Sequence, residues 1–284
     1  MDRRVFLKSG AVSLSAFPHH LFAAPAKKNA TDVIELGPRK VRVSRLAMGS
    51  GTNGMGGSSN QTKKLGVDGF SSMLKMAYDN GVFFWETADQ YGSHPHFKAG
   101  LKGLPREKVT IMTKTHASTA AQMKADLDRF RQELGTDYLD IVLLHCMMDN
   151  DWADRKKGAM EYLNEAQAKG VVRTKGVSCH TLGALKAAAA NPWVEVDLAR
   201  INPAGIAMDA DPRTVLSVLE QMKAAGKGVI GMKIFGAGRL RQKTDESLQF
   251  ALAQQTVDCF TIGSEGPAEF QQLLTKIPAA SVRA

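Results

Sequence analysis

Leu134-Gly135-Thr136-Asp137-Tyr138-Leu139-Asp140-Ile141-Val142-Leu143-Leu144-His145 is one unit of a pattern that recurs along the chain. A glycine just past a helical stretch supplies the stop, an apolar run of strand length follows, and the run ends on a titratable side chain. Outward from this unit the rhythm is the same in both directions. Short apolar runs at 45–51, 82–87, 109–115, 139–145, 171–179, 194–201, 228–235 and 256–262 alternate with helical patterns at 67–80, 94–102, 118–134, 152–169, 181–190, 212–226, 244–254 and 267–275. Such alternation predicts parallel strands joined by crossover helices. Eight of each in about 250 residues match the α/β class and a closed (β/α)8 TIM barrel. Segments 32–36 and 40–43, split by Gly37-Pro38, read as a β-hairpin that precedes the barrel and could plug its bottom.

The chain has 284 residues, of which 44% are hydrophobic, enough to bury one large core. No apolar run reaches the eighteen or so residues of a membrane span. Residues 1–26 read as an address: Arg3-Arg4-Val5-Phe6-Leu7-Lys8, a weakly apolar stretch at 11–22, then Ala24-Pro25-Ala26 as a processing site. The segment resembles twin-arginine signals that carry folded, cofactor-loaded proteins across the bacterial inner membrane. The expectation is a mature domain of 27–284, a periplasmic location and the twin-arginine export machinery as a partner.

Removing the leader takes away three cations and one anion, so the formal charge falls only from +9 to +7. That excess is spread in ones and twos without aromatic interleaving, a solvated surface rather than a nucleic-acid footprint. Cys146, Cys179 and Cys259 are far apart and lie in or beside apolar runs, so buried thiols are expected rather than a disulfide or a metal site.

Gly49-Ser50-Gly51-Thr52-Asn53-Gly54 fits the dinucleotide fingerprint G-x-G-x-x-G and favours a doubly wound open sheet instead. The context fails: residues 55–60 do not open a helix, and no acidic residue closes a second strand about twenty positions on. The glycines are read as a loop at the barrel mouth.

In a barrel the strand ends share one face. The second run ends in Glu86-Thr87-Ala88-Asp89-Gln90-Tyr91-Gly92, the third in Met112-Thr113-Lys114, and the fourth in His145. These segments, with Lys175-Gly176-Val177-Ser178-Cys179-His180, resemble the aldo-keto reductase family in order and position from about residue 41 to 270. The resemblance implies an NAD(P)H-dependent oxidoreductase acting on an aldehyde or ketone, or on the corresponding alcohol. It places the proton donor at Tyr91, a lysine that lowers the phenol's pKa at Lys114, an orienting histidine at His145, and the carboxylate that holds the lysine at Glu86. Each also has a plain reading, as a turn tyrosine, a solvated strand end or a packed histidine.

The implied cofactor positions are Gly51, Thr52, Ser178, Asn202, Met232, Phe235, Gly236, Gly238, Gly263 and Ser264. Glycines there admit backbone amides to phosphates, and the last helix offers its amino end. The chain departs from the family pattern with Glu86 in place of aspartate, Leu198 in place of a glutamine that holds the carboxamide, and Cys179 in place of asparagine. It also lacks a basic residue between 260 and 274, so NADP, the family habit, and NAD both stay open. His94, His96 and Trp152 could contact substrate or simply pack, and His94 and His96 lack a third ligand for a metal. A second reading is a barrel that retains nucleotide as a non-catalytic binding or sensing protein.

Overall fold

Residues 27–281 are described by the computed structural model; the leader expected at 1–26 lies outside the described residues. An antiparallel hairpin, β1 (Val33–Leu36) and β2 (Val41–Ser44), comes first. Eight strands follow: β3 (Leu46–Gly49), β4 (Phe84–Glu86), β5 (Thr110–Thr115), β6 (Leu139–Met147), β7 (Val172–Cys179), β8 (Val196–Arg200), β9 (Gly228–Met232) and β10 (Cys259–Ile262). Each pairs in parallel with the next, and β10 pairs with β3, closing the barrel. Around it lie α1 (Asn60–Asp79), α2 (His94–Leu101), α3 (Ala120–Leu134), α4 (Trp152–Arg155), α5 (Lys157–Ala168), α6 (Leu182–Ala190), α7 (Pro212–Ala224), α8 (Thr244–Ala253) and α9 (Pro267–Ser281). No described helix is long and apolar enough to cross a membrane.

Strand side chains alternate between two cores. Phe84, Met112, Ile141, Leu143, Leu198 and Ile230 fill the barrel interior, together with Leu36, Val41 and Val43 of the hairpin. Trp85, Ile111, Val142 and Leu144 point outward against helix residues such as Phe70, Phe97 and Phe130. The hairpin therefore plugs the barrel's amino-terminal end, as its position in the sequence implied. Gly228 admits it: a Cβ there would sit 2.8 Å from the Leu36 side chain and 2.9 Å from the backbone nitrogen of Gly37.

Two helices depart from the sequence expectation. α1 opens at Asn60, inside the stretch read as unable to start a helix, because Ser59 and Thr62 form a reciprocal capping box. Gly66 then breaks the helical geometry at φ 62°, so the amphipathic pattern becomes legible only beyond it. The helix expected over 152–169 divides into α4 and α5.

Asp140 fastens the outer wall below the mouth. Fully buried, it accepts hydrogen bonds from Arg106 Nη2 (2.6 Å), Arg173 Nη1 (3.0 Å) and the backbone N–H of Ile111 (3.0 Å), joining β5, β6 and β7. The two guanidinium groups also sit 4.4 and 4.3 Å from the Tyr138 ring centroid. Loss of the Asp140 carboxylate leaves the buried Ile111 N–H unsatisfied and two partly exposed guanidinium groups without their partner, at about 1–3 kcal/mol. Asp140→Ala is expected to lower unfolding free energy by about that amount, measured as a fall in urea midpoint at constant slope; a midpoint within error of the parent contradicts this role.

Candidate active site

The inward phase of three neighbouring strands decides what the barrel mouth contains. Phe84 points into the barrel, so Glu86 does; Met112 points in, so Lys114 does; Ile141 and Leu143 point in, so His145 does. All three emerge at the carboxyl ends of their strands, where a barrel of this kind gathers its polar side chains. Lys114 is 1% exposed, and its Nζ forms an ion pair with Glu86 and donates to the Thr87 carbonyl at 2.6 Å. The second Glu86 oxygen accepts from Thr261 Oγ1 at 3.2 Å. Position 49 makes room for the longer glutamate: a Cβ on Gly49 would lie 2.7 Å from Thr261 Oγ1 and 3.0 Å from Glu86 Oε2.

Tyr91 closes a single 3-10 turn, Asp89–Tyr91, which Gly92 ends in left-handed geometry at φ 62°. Its ring lies against the glycine loop that follows β3, where a Cβ at either Gly51 or Gly54 would overlap ring atoms. The loop is stitched to the turn by Gly57 N–H to the Gln90 carbonyl (2.9 Å) and Gln90 Nε2 to the Gly54 carbonyl (3.1 Å). The G-x-G-x-x-G match therefore gives this aromatic ring its space at the barrel mouth, consistent with its reading as a mouth loop.

Lys114 Nζ sits 4.9 Å from the Tyr91 ring centroid, and the His145 ring meets the Tyr91 ring edge-on at 5.8 Å. No hydrogen bond joins the Tyr91 hydroxyl to either residue among those described. The expectation that Lys114 lowers the phenol's pKa is not met. Burial first, then the Glu86 carboxylate and Cys146, push it well above the ordinary phenol value. The main reason is depth: a phenolate buried there loses its hydration, and the Glu86 carboxylate adds repulsion. Burial likewise lowers the pKa of Lys114, with Glu86 opposing the shift.

His145 is 4% exposed and its Nδ1 has no hydrogen-bond partner. Burial, then the charges of Lys114, His116, His180 and Lys233, hold its pKa down at about 2, so the imidazole is neutral. His116 stacks on it with centroids 4.8 Å apart and bonds Gln90 Oε1 at 2.9 Å. Beyond His145 the β6–β7 ladder shifts register, and Cys146 takes φ 61° with its Sγ 3.1 Å from His180 Nδ1. Burial raises the Cys146 thiol's pKa and lowers that of His180 to about 4, so this pair is uncharged.

A groove of about 480 Å³ leads away from Tyr91 and Glu86 between the segment after β9 and the loop after β10. Gly51, Thr52, Met232, Phe235, Gly238 and Gly263 line it, six of the ten positions expected to face a cofactor. The other four lie beside or beneath it. Gly236 is buried, and a Cβ there would press on Ile206 and Leu240. Ser178 Oγ accepts the Cys146 amide (2.9 Å), holding the β6 bulge. Asn202 engages its side chain with Ile206, Ala204 and the Lys233 carbonyl, and so secures the loop after β8 and the segment after β9. Ser264 is buried at the approach to α9, with its Oγ unpartnered.

That orphaned hydroxyl, the glycines at 238 and 263 and the amino end of the fifteen-residue α9 suit a phosphate-bearing ligand, so the residues present fit a dinucleotide. Two lining residues, Lys233 and Glu269, carried no role in the sequence reading. Lys233 closes an apolar run as Lys114 does, and that parallel was a usable signal. His94, His96 and Trp152 are buried away from the mouth; His94 links Glu133 (2.7 Å) to Thr113 (2.8 Å) behind the barrel wall.

Comparison with known proteins agrees with this geometry. The sequence model of the aldo/keto reductase family matches residues 47–279. A D-threo-aldose 1-dehydrogenase from Pseudomonas sp is 24% identical over 69% of this chain and 68% of its own length. The methylglyoxal reductase DkgB of Escherichia coli O157:H7 is 29% identical over 45% of this chain and about half (49%) of its own. Among solved structures, the aldo-keto reductase AKR11C1 from Bacillus halodurans (holo form) superposes with a TM-score of 0.70 at 16% identity, covering 87% of this chain and 91% of that one. With the family pattern running from β3 into α9 and an eight-stranded barrel beneath it, the chain belongs to the aldo/keto reductase family of NAD(P)H-dependent oxidoreductases.

Proposed function

We propose that the protein reduces small aldehydes or ketones at the barrel mouth with Tyr91 as proton donor. The observation that carries this reading is the meeting of four groups: Tyr91 and Glu86 at the head of the groove, Lys114 buried against Glu86, and the neutral His145 edge-on to the Tyr91 ring. A reduced nicotinamide nucleotide held in the groove supplies the reducing equivalent to the carbonyl carbon. His145 offers a neutral N–H that orients the carbonyl oxygen without titrating near neutrality. Tyr91, protonated throughout that range, gives its proton to the developing alkoxide, and Lys114 keeps a positive charge beside the ring while Glu86 fixes the ammonium. Two relatives whose names describe an aldose dehydrogenase and a methylglyoxal reductase support small polar carbonyl compounds as the substrate class.

A raised phenol pKa gives a direction to the chemistry. Carbonyl reduction needs the phenol, present at every pH below its pKa, whereas alcohol oxidation needs the phenolate, which forms only above it. Reduction is therefore expected to be flat in kcat across neutral pH, and oxidation to climb past pH about 10. Tyr91→Phe is expected to lower kcat for reduction about 10²- to 10⁴-fold. Retained turnover in that variant refutes Tyr91 as the donor, whereas a parent protein that keeps nucleotide tightly bound and turns over no compound of a carbonyl panel would favour the non-catalytic nucleotide-retaining barrel instead.

For the nucleotide, Glu265 and Glu269 favour NADH over NADPH. Both line the groove beside α9, Glu265 held by Asn60 Nδ2 at 2.7 Å with Lys64 Nζ 3.9 Å away, whereas the groove's own cations, Lys233 and Arg241, come from the segment after β9. A 2′-phosphate beside α9 would meet carboxylates. Fluorescence titration is expected to give NADH at least about tenfold tighter than NADPH, a difference of about 1.4 kcal/mol; the reverse order refutes the assignment.

The leader motif supports export by the twin-arginine machinery to the periplasm, with the protein crossing folded and loaded. Fractionation of expressing cells should yield a periplasmic protein whose amino terminus is Lys27, while a full-length cytoplasmic product refutes export.

A further inference from the structure

The proton donor stands on a single turn of 3-10 helix, and three residues in that geometry have little stability of their own. Two of that turn's outside attachments, through Gln90, go to loops: the glycine loop and the segment after β5. The attachment through Asp89 is different, because it goes to a helix. Arg129, on α3, donates Nη1 to Asp89 Oδ1 at 2.6 Å and Nη2 to Asp89 Oδ2 at 2.9 Å, a two-pronged bond that fixes angle as well as distance.

The same guanidinium reaches the strand that carries Lys114. Arg129 Nη2 bonds Asp126 Oδ1 at 2.9 Å, and the other Asp126 oxygen accepts from Thr115 Oγ1. Arg129 Nη1 bonds Glu133 Oε1 at 3.2 Å, and Glu133 continues through His94 (2.7 Å) to Thr113 Oγ1 (2.8 Å). Thr113 and Thr115 flank Lys114 on β5 and point to the opposite side of the strand from it. One guanidinium thus ties the turn beneath Tyr91 to both neighbours of Lys114 from behind the barrel wall.

We propose that Arg129, through Asp89, is a positioning residue that sets Tyr91 against Lys114 and His145. This inference rests on the assignment of Tyr91 as proton donor. The Arg129 side chain is 41% exposed, so its ion pairs are screened and add little to global stability. Its contribution is geometric, and a displacement of about 1 Å at a reacting group lowers turnover about 100-fold. Lysine at this position keeps the charge and loses the fork.

Arg129→Lys and Asp89→Asn are each expected to lower kcat for carbonyl reduction about 10- to 100-fold, with substrate KM and the urea midpoint near the parent values. The double variant should be no worse than the poorer single one, since both changes break the same Arg129–Asp89 fork. In the protein without added nucleotide, hydrogen exchange should accelerate in a peptide spanning 88–92 and stay unchanged in one from the middle of α3. Parental kcat and parental exchange in both single variants overturn the role of Arg129. Tyr91→Phe in the same assays separates the two readings: if it retains turnover the proton-donor assignment fails, and if it is inactive while both clamp variants run at the parental rate, only the positioning role fails.

Discussion

A lysine ammonium sealed inside the barrel mouth is the constraint around which this site is arranged. A buried cation requires a partner, and Glu86 is the one Lys114 has, supplemented by the Thr87 carbonyl. That pairing accounts for several neighbouring residues. Gly49 lacks a side chain where the glutamate and Thr261 converge, and Thr261 satisfies the carboxylate's remaining oxygen. Burial of the ring, with the Glu86 carboxylate beside it, is why the phenol keeps its proton despite an ammonium 4.9 Å from its ring centroid.

The barrel's two-residue alternation turns this local arrangement into a site. Glu86, Lys114 and His145 are each two residues beyond an apolar side chain of the inner core, so the phase that builds the core also delivers the polar groups to its rim. Tyr91 arrives differently, from a turn outside the sheet, and it needs the slot at Gly51 and Gly54 in front and the Arg129 clamp behind. The groove then extends from this rim toward the amino end of α9, with glycines where the backbone must come close to a ligand.

Much of this was legible in the sequence, for identifiable reasons. The alternation of apolar runs and amphipathic stretches fixes an eightfold barrel, and Gly37-Pro38 between two short runs marks the hairpin that plugs it. Glu86, Lys114 and His145 were visible as titratable ends of apolar runs. The direction of the Tyr91 shift was not, because it depends on how completely Lys114 is neutralised and how deeply the ring is buried. Asn202 was singled out as a cofactor position by the family resemblance, yet its side chain faces the loop it holds, bonding Ile206 four residues on and Lys233 from the segment after β9. The start of α1 was hidden because Gly66 interrupts its periodicity, although Ser59 and Thr62 carry the capping signal.

The protonation state of one phenol tests the account at its centre. Ultraviolet difference titration of the parent against Tyr91→Phe isolates the Tyr91 transition, and the same titration in Glu86→Gln removes the carboxylate that helps raise it. The account predicts that Tyr91 ionises above the ordinary phenol value of about 10 in the parent and at lower pH once Glu86 is neutral. Ionisation of Tyr91 below that value in the parent would show the Lys114 charge acting on the phenol unopposed, and would contradict the Lys114–Glu86 pair as the element that governs the site.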